Sequence, residues 1–207
     1  MYEYQAAEIT GKDTYKYLSG SLIPRPIALV TTLEPESDTV NAGPFSFFSV
    51  VNYNPPTVTV SVSRMDDGSI KDTARNALAT GELVIHLVHR EIVEDMVMTS
   101  KELPRNESEL PHTNFTTVPS EHVKVPGLKE ALIRFECKLI DRIEMKNDEG
   151  ETETDLLFAR VLKYYFDESM FDPEKKYILP EKFSPVGRLS GEQYATIDEI
   201  FKVKFPD

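Results

Sequence analysis

Three short segments of this 207-residue chain bring residues capable of chemistry into close spacing. The first is Ser69-Ile70-Lys71-Asp72-Thr73-Ala74-Arg75-Asn76, which follows Arg64 and the turn-forming Met65-Asp66-Asp67-Gly68. Asp67 or Ser69 is placed to cap a helix that begins near Lys71. The unpaired N–H groups of such a helix start, the Lys71 ammonium and the Thr73 hydroxyl together suit a phosphate. The same residues also suit a plain basic surface, with Asp72 paired to a neighbouring cation.

The second segment is Asn41-Ala42-Gly43-Pro44-Phe45-Ser46-Phe47-Phe48. Read as a loop, it can approach a flat heteroaromatic ring closely, offering backbone N–H and C=O to the polar edge and apolar contact to the face. The alternative is a connection between strands with its aromatics in the core. The third segment is Pro24-Arg25-Pro26, where two prolines stiffen the backbone on either side of Arg25 just before an apolar run. That arginine is either a held binding group or a solvated charge at a strand entry. A dinucleotide-type G-x-G-x-x-G turn is absent from the sequence. Cys137 and His86 both fall inside apolar strand-like runs, where a small buried hydrophobe and a satisfied structural imidazole are expected.

The elements that must carry these segments are mostly strands. Ile27 to Leu33 is apolar and β-branched, and Thr57 to Ser63 alternates strictly. Leu83 to Val88 is a third strand, while Ile133 to Met145 and Leu156 to Phe166 flank the polar Lys146-Asn147-Asp148-Glu149-Gly150 as a long hairpin. Helices are expected at Lys71 to Ala79 and Glu91 to Ser100, both short and peripheral. Such a pattern fits a mainly β fold with peripheral helices, a closed or partly closed barrel, better than a doubly wound sheet. The polar stretches Lys101 to Pro126 and Phe171 to Pro185 are expected to run over the barrel surface, covering a site or a partner subunit.

Length and 40% hydrophobic content suit one domain across residues 1–207. A net charge of -12 argues against nucleic-acid or anionic-membrane partners, so any anionic ligand needs a local cationic pocket. One cysteine permits no internal disulfide, no metal-ligand spacing is present, and no apolar run approaches the roughly 20 residues that span a bilayer. A cytoplasmic protein is expected.

Taken together, PRPIALVTT, NAGPFSFFSVVNYNPP and KDTARN, in that order, resemble the flavin reductase-like family with the FMN-binding split β-barrel, which includes the flavoredoxins. Phe135-Glu136-Cys137-Lys138-Leu139 and the closing Pro185 to Tyr194 extend the resemblance, which runs from about Tyr15 to Tyr194. It implies a homodimer with FMN near the interface. It assigns Asn41, Ala42, Gly43, Ser46 and Phe47 to the ring and Arg64, Lys71, Asp72 and Thr73 to the phosphate, with Arg25 a further candidate; Gly43 stands where many relatives carry alanine. It also implies a reductase taking electrons from NADH or NADPH with no catalytic side chain. The alternatives are a flavoredoxin-like carrier fed by a protein and a non-catalytic dimer that binds another ligand.

Overall fold

Val58, Val60 and Val62 are buried while Thr59, Ser61 and Ser63 between them are more exposed, so this alternating run lays one face on a core. The computed structural model describes residues 1–206. Its first half holds α1 (Gly11–Ser21), β1 (Arg25–Pro26), β2 (Ala28–Leu33), β3 (Val40–Phe45), β4 (Phe48–Tyr53), β5 (Pro56–Ser63), α2 (Asp72–Thr80), β6 (Glu82–Leu87) and α3 (Val93–Met98). The second half holds β7 (Thr117–Val118), β8 (Gly127–Leu128), β9 (Ile133–Lys146), β10 (Thr152–Phe166), β11 (Phe171–Asp172), β12 (Tyr177–Ile178), α4 (Pro180–Phe183), β13 (Val186–Arg188) and β14 (Tyr194–Thr196).

Seven strands form one antiparallel sheet in the order β3-β2-β6-β9-β10-β5-β4. β3 and β4 are therefore its two edges, although only Ser46 and Phe47 separate them in the chain. The ladder stays open between them, and this is the split. One core cluster collects Ala28, Val30, Val60, Ile85, Cys137 and Leu157 from the strands, with Ala74 and Ala77 of α2 laid against them. Gly81, at φ 72°, ends α2 in the left-handed conformation, its N–H bonded to the Ala77 carbonyl at 2.9 Å. A second cluster packs Leu29 and Ala42 against Met96 of α3 and Val186 of β13. β2 is thus buried on both faces, which accounts for its lack of polar alternation.

The two tempting side chains are structural, as expected. Burial lowers the His86 pKa to about 4. Its Nε2 accepts from the Leu128 N–H at 2.9 Å, leaving Nδ1 protonated to donate to the Leu29 carbonyl at 2.9 Å. Cys137 is fully buried and its thiol is pushed up by that burial.

The expected strands and the two expected helices form near their predicted bounds, but two readings need correction. Gly11 to Ser21 is a helix that the sequence reading passed over; Thr10 caps it by accepting from the Asp13 N–H at 3.3 Å. The Asn41 to Phe48 segment is no loop: it is most of edge strand β3, a two-residue link and the first residue of β4. Gly43 and Pro44 disguise the strand. Pro44 is tolerated because at an edge its missing N–H faces away from the neighbour and costs no ladder bond.

Candidate functional site

The edge of β3 is covered along its first half and open along its second. Ser108 donates its hydroxyl to the Val40 carbonyl at 2.5 Å, and the Glu109 carboxylate accepts from the Ala42 N–H at 2.8 Å. Since Ala42 directs its backbone groups outward, strand alternation directs the carbonyl of Pro44 outward as well. Beyond Glu109 a cavity opens, lined by Asn41 to Phe45, by Lys71 to Thr73 and by Thr99 to Leu103. Its floor is a sheet edge with carbonyl acceptors to spare.

A hydrogen-bonded chain runs across the inner wall of this cavity. Asn41 donates from Nδ2 to Glu109 Oε1 at 2.8 Å and accepts at Oδ1 from the Thr73 hydroxyl at 2.8 Å. The approach of α2 to β3 is close: a Cβ on Gly43 would stand 3.2 Å from Thr73 Oγ1. A Cβ there would press on the Thr73 hydroxyl and the Phe45 ring, which would have to give by a few tenths of an ångström.

That helix start has no side-chain cap. Its N-cap residue is Lys71, and neither Asp67 nor Ser69 caps it; Asp67 instead accepts from the Ser69 N–H at 2.8 Å inside its own turn. The first N–H groups of α2 are left to the cavity, where an anion would satisfy them. Lys71 has no ion-pair partner among the described residues, and Lys101 lines the same cavity. Asp72 is held 3.0 Å from Arg75 and 4.0 Å from Arg105. Burial pushes the Glu109 carboxyl above the usual range against the hydrogen bonds from Ala42 and Asn41, and Asp72 adds to the rise.

Pro44, Phe45 and Ser100 also line an adjoining groove, so the two hollows share a wall. Ser46, Tyr15 of α1, Met96 and Val97 of α3, and Arg188 and Tyr194 from the late segment wall it. Arg188 lies over the Tyr194 ring at 4.5 Å. Val97 and Tyr194 continue into a shallower hollow reaching Val93 and Val186. The hollows adjoin one another: Lys71 and Lys101 with three carboxylates line the α2 end, and Met96, Val97 and Tyr194 line the α3 end beside Ser46, Ser100 and Arg188.

Of the residues expected from the sequence, Asn41, Ala42, Gly43, Lys71, Asp72 and Thr73 line the polar end, and Ser46 lines the groove. Three others do not face the cleft. Arg25 is buried, donating to the carbonyls of Ser19, Leu22 and Leu189 and to Ser46 Oγ at 3.4 Å, so it clamps α1 and the late segment to the β3–β4 link. Phe47 packs beside Tyr15 and Arg25. Arg64 is committed to Asp155, with Nε 2.9 Å from Oδ2, near the turn end of the long hairpin. The side chains of Asn41 and Thr73 bond to each other. Residues that the sequence reading missed are Tyr15, Met96, Val97, Ser100, Lys101 and Glu109. Only the expected covering role of the stretch after Lys101 pointed at any of them.

Residues 19–180 match the flavin reductase like domain. Crystalline nitrilotriacetate monooxygenase component B from Bacillus cereus is 40% identical, with a TM-score of 0.93 and 98% of each chain covered. Pseudomonas fluorescens 2-nitrobenzoate 2-nitroreductase NbaA is 30% identical, with a TM-score of 0.88 over 99% of this chain and 96% of that one. A Shewanella frigidimarina protein assigned as a flavin reductase with a split barrel domain, 18% identical, shares the fold with a TM-score of 0.79 over 97% and 96% of the two chains.

Proposed function

The chain belongs to the flavin reductase-like family, and we propose that it is an FMN-binding oxidoreductase that draws electrons from NADH or NADPH. Bound FMN would supply the redox chemistry by accepting a hydride from the nicotinamide. One observation carries the reading: an uncapped helix start with an unpaired Lys71 opens into the same cavity as an uncovered sheet edge, beside a groove walled by Tyr15, Met96, Val97 and Tyr194.

The residues present fit that cofactor. Lys71 and the first N–H groups of α2 would hold the phosphate, with Lys101 nearby, while Thr73 stays bonded to Asn41 and sets the spacing between helix and strand. Outward carbonyls on β3 suit the N–H of the ring's polar edge, and Ala42 and Gly43 allow close approach. Met96, Val97 and Tyr15 offer apolar contact. The hollow past Tyr194 leaves room for a nicotinamide, with Arg188 at its mouth. No side-chain acid or base is needed, so these groups bind, orient and exclude water.

The reading includes a homodimer of single-domain subunits in the cytoplasm. Val50 and Tyr53 on edge strand β4 are 74% and 91% exposed, an apolar edge that a second copy would cover. No helix among the described residues is long and apolar enough to cross a membrane.

Nicotinamide oxidation by the purified protein with FMN, using each donor in turn, tests the activity. Turnover with one donor supports it. Bound flavin with no turnover moves the assignment to a carrier fed by another protein, and failure to bind any flavin overturns it. The phosphate assignment is tested by a pair of lysine changes. Lys71→Ala is expected to weaken FMN by about tenfold or more, the scale of one lost charge-assisted hydrogen bond. Lys146→Ala, at the exposed hairpin tip, should change affinity by less than about twofold, as a solvated charge does. Equal losses would mean that only long-range charge is at work.

A further inference from the structure

A buried carboxylate in a cavity that is to receive an anion is an electrostatic conflict, and Glu109 is such a group. It is only 7% exposed. It lines the same cavity as Lys71 and the start of α2, and it is linked to Thr73 through Asn41 by two hydrogen bonds of 2.8 Å. Both of its oxygens are turned to β3, one to the Ala42 N–H and one to Asn41. No cation forms an ion pair with it among the described residues.

The charged groups around it do not neutralise it. From α2 come Asp72, itself partnered by Arg75 and Arg105, and the capping Lys71; from the segment after α3 come Lys101 and Glu102; β3 contributes only the neutral Asn41 and Ala42. Lysines and carboxylates are therefore mixed in one cavity. A phosphate bearing nearly two negative charges would engage the lysines and raise the cost of a charged Glu109 in the same low-dielectric space.

Resting on the reading of this cleft as an FMN site, we infer that Glu109 makes uptake of the phosphate-bearing flavin a proton-coupled event, in which its carboxylate gains one proton from solvent as the phosphate enters. The balance is one carboxylate and one proton becoming one carboxylic acid, with no other bond changed. Protonation leaves one oxygen a full acceptor for a β3 donor and weakens the bond that the other receives, so the hydrogen bonds from Ala42 and Asn41 oppose the proton and the phosphate charge has to outweigh them. Burial and Asp72 already hold this carboxyl above its ordinary range, so the shift needed on binding is smaller than for an exposed glutamate.

Linkage gives the sign. A ligand whose binding takes up a proton binds more weakly as pH rises, by up to about tenfold per pH unit for one proton. FMN and riboflavin are titrated against apo protein between about pH 7 and about pH 8.5, above the second phosphate ionisation near 6, so that the phosphate charge is nearly constant. For the wild type, FMN affinity is expected to fall with pH while riboflavin affinity stays flat. In Glu109→Gln, FMN affinity is expected to stay flat too. A flat FMN profile in the wild type, or the same slope in both proteins, overturns the inference while leaving the flavin site intact. Absence of binding of either flavin at every pH overturns the flavin reading itself. Should Glu109→Gln not fold, calorimetry of the wild type in two buffers of different ionisation enthalpy counts the protons directly: about one taken up with FMN and none with riboflavin is expected, and none with FMN overturns the inference.

Discussion

Asp155→Ala is expected to lower the free energy of unfolding by about 3–5 kcal/mol, the scale for removing one partner of a buried ionic cluster. The Asp155 side chain has no exposure at all, and two guanidinium groups converge on it. Arg64 Nε lies 2.9 Å from one oxygen, and Arg142 donates from Nε at 2.7 Å to the other. Glu144, 2.6 Å from Arg142, takes part of the remaining positive charge. Taking away the carboxylate leaves two cations facing each other near the turn end of the β9–β10 hairpin. Arg64→Met keeps the apolar stem and leaves Asp155 its Arg142 partner, so it should cost less, about 2–3 kcal/mol. Denaturant midpoints at constant slope read both values. The second change also decides a point of function. Folded Arg64→Met protein that binds FMN as the wild type does would confirm that this arginine serves the hairpin. A tenfold loss of affinity would return it to the phosphate.

Arg64 shows where a sequence stops being legible. Its partner Asp155 lies ninety-one positions later, and only the pairing of β10 with β5 brings them together. Arg25 is the same case: its rigid Pro-Arg-Pro setting was visible, but the carbonyls it binds come from the end of α1 and from Leu189, which no local reading could place beside it. Strands announced themselves where burial is one-sided or complete, as in β5 and β2, because side-chain periodicity then follows the backbone. β3 hid behind Gly43 and Pro44, which only an edge position with a close helix partner can tolerate. Asn41 to Gly43 and Lys71 to Thr73, which line one cavity, stood out in the sequence because each group is local to a single segment. Glu109 could not be found so, since its meaning depends on which strand edge its segment covers.

FMN is expected to bind on the order of a hundredfold more tightly than riboflavin, because the two differ only in the phosphate, which on the proposed reading meets Lys71 and the uncapped start of α2. The uncapped N–H groups of α2 and the unpaired Lys71 ammonium each offer a charge-assisted hydrogen bond typically worth about 1.5–3 kcal/mol. Two of them, discounted for non-additivity and for the nearby carboxylates of Asp72, Glu102 and Glu109, leave about 3 kcal/mol of preference. Thr73 adds no donor to this sum, since its hydroxyl proton is spent on Asn41. The preference should shrink as salt is raised, because exposed Lys101 and half-buried Lys71 are within reach of screening ions, whereas riboflavin affinity should hardly respond. Inorganic phosphate should compete with FMN and leave riboflavin in place. Titration of apo protein by flavin fluorescence, with and without added phosphate, measures all three effects. Equal affinities for the two flavins would remove the phosphate from the α2 end of the cleft.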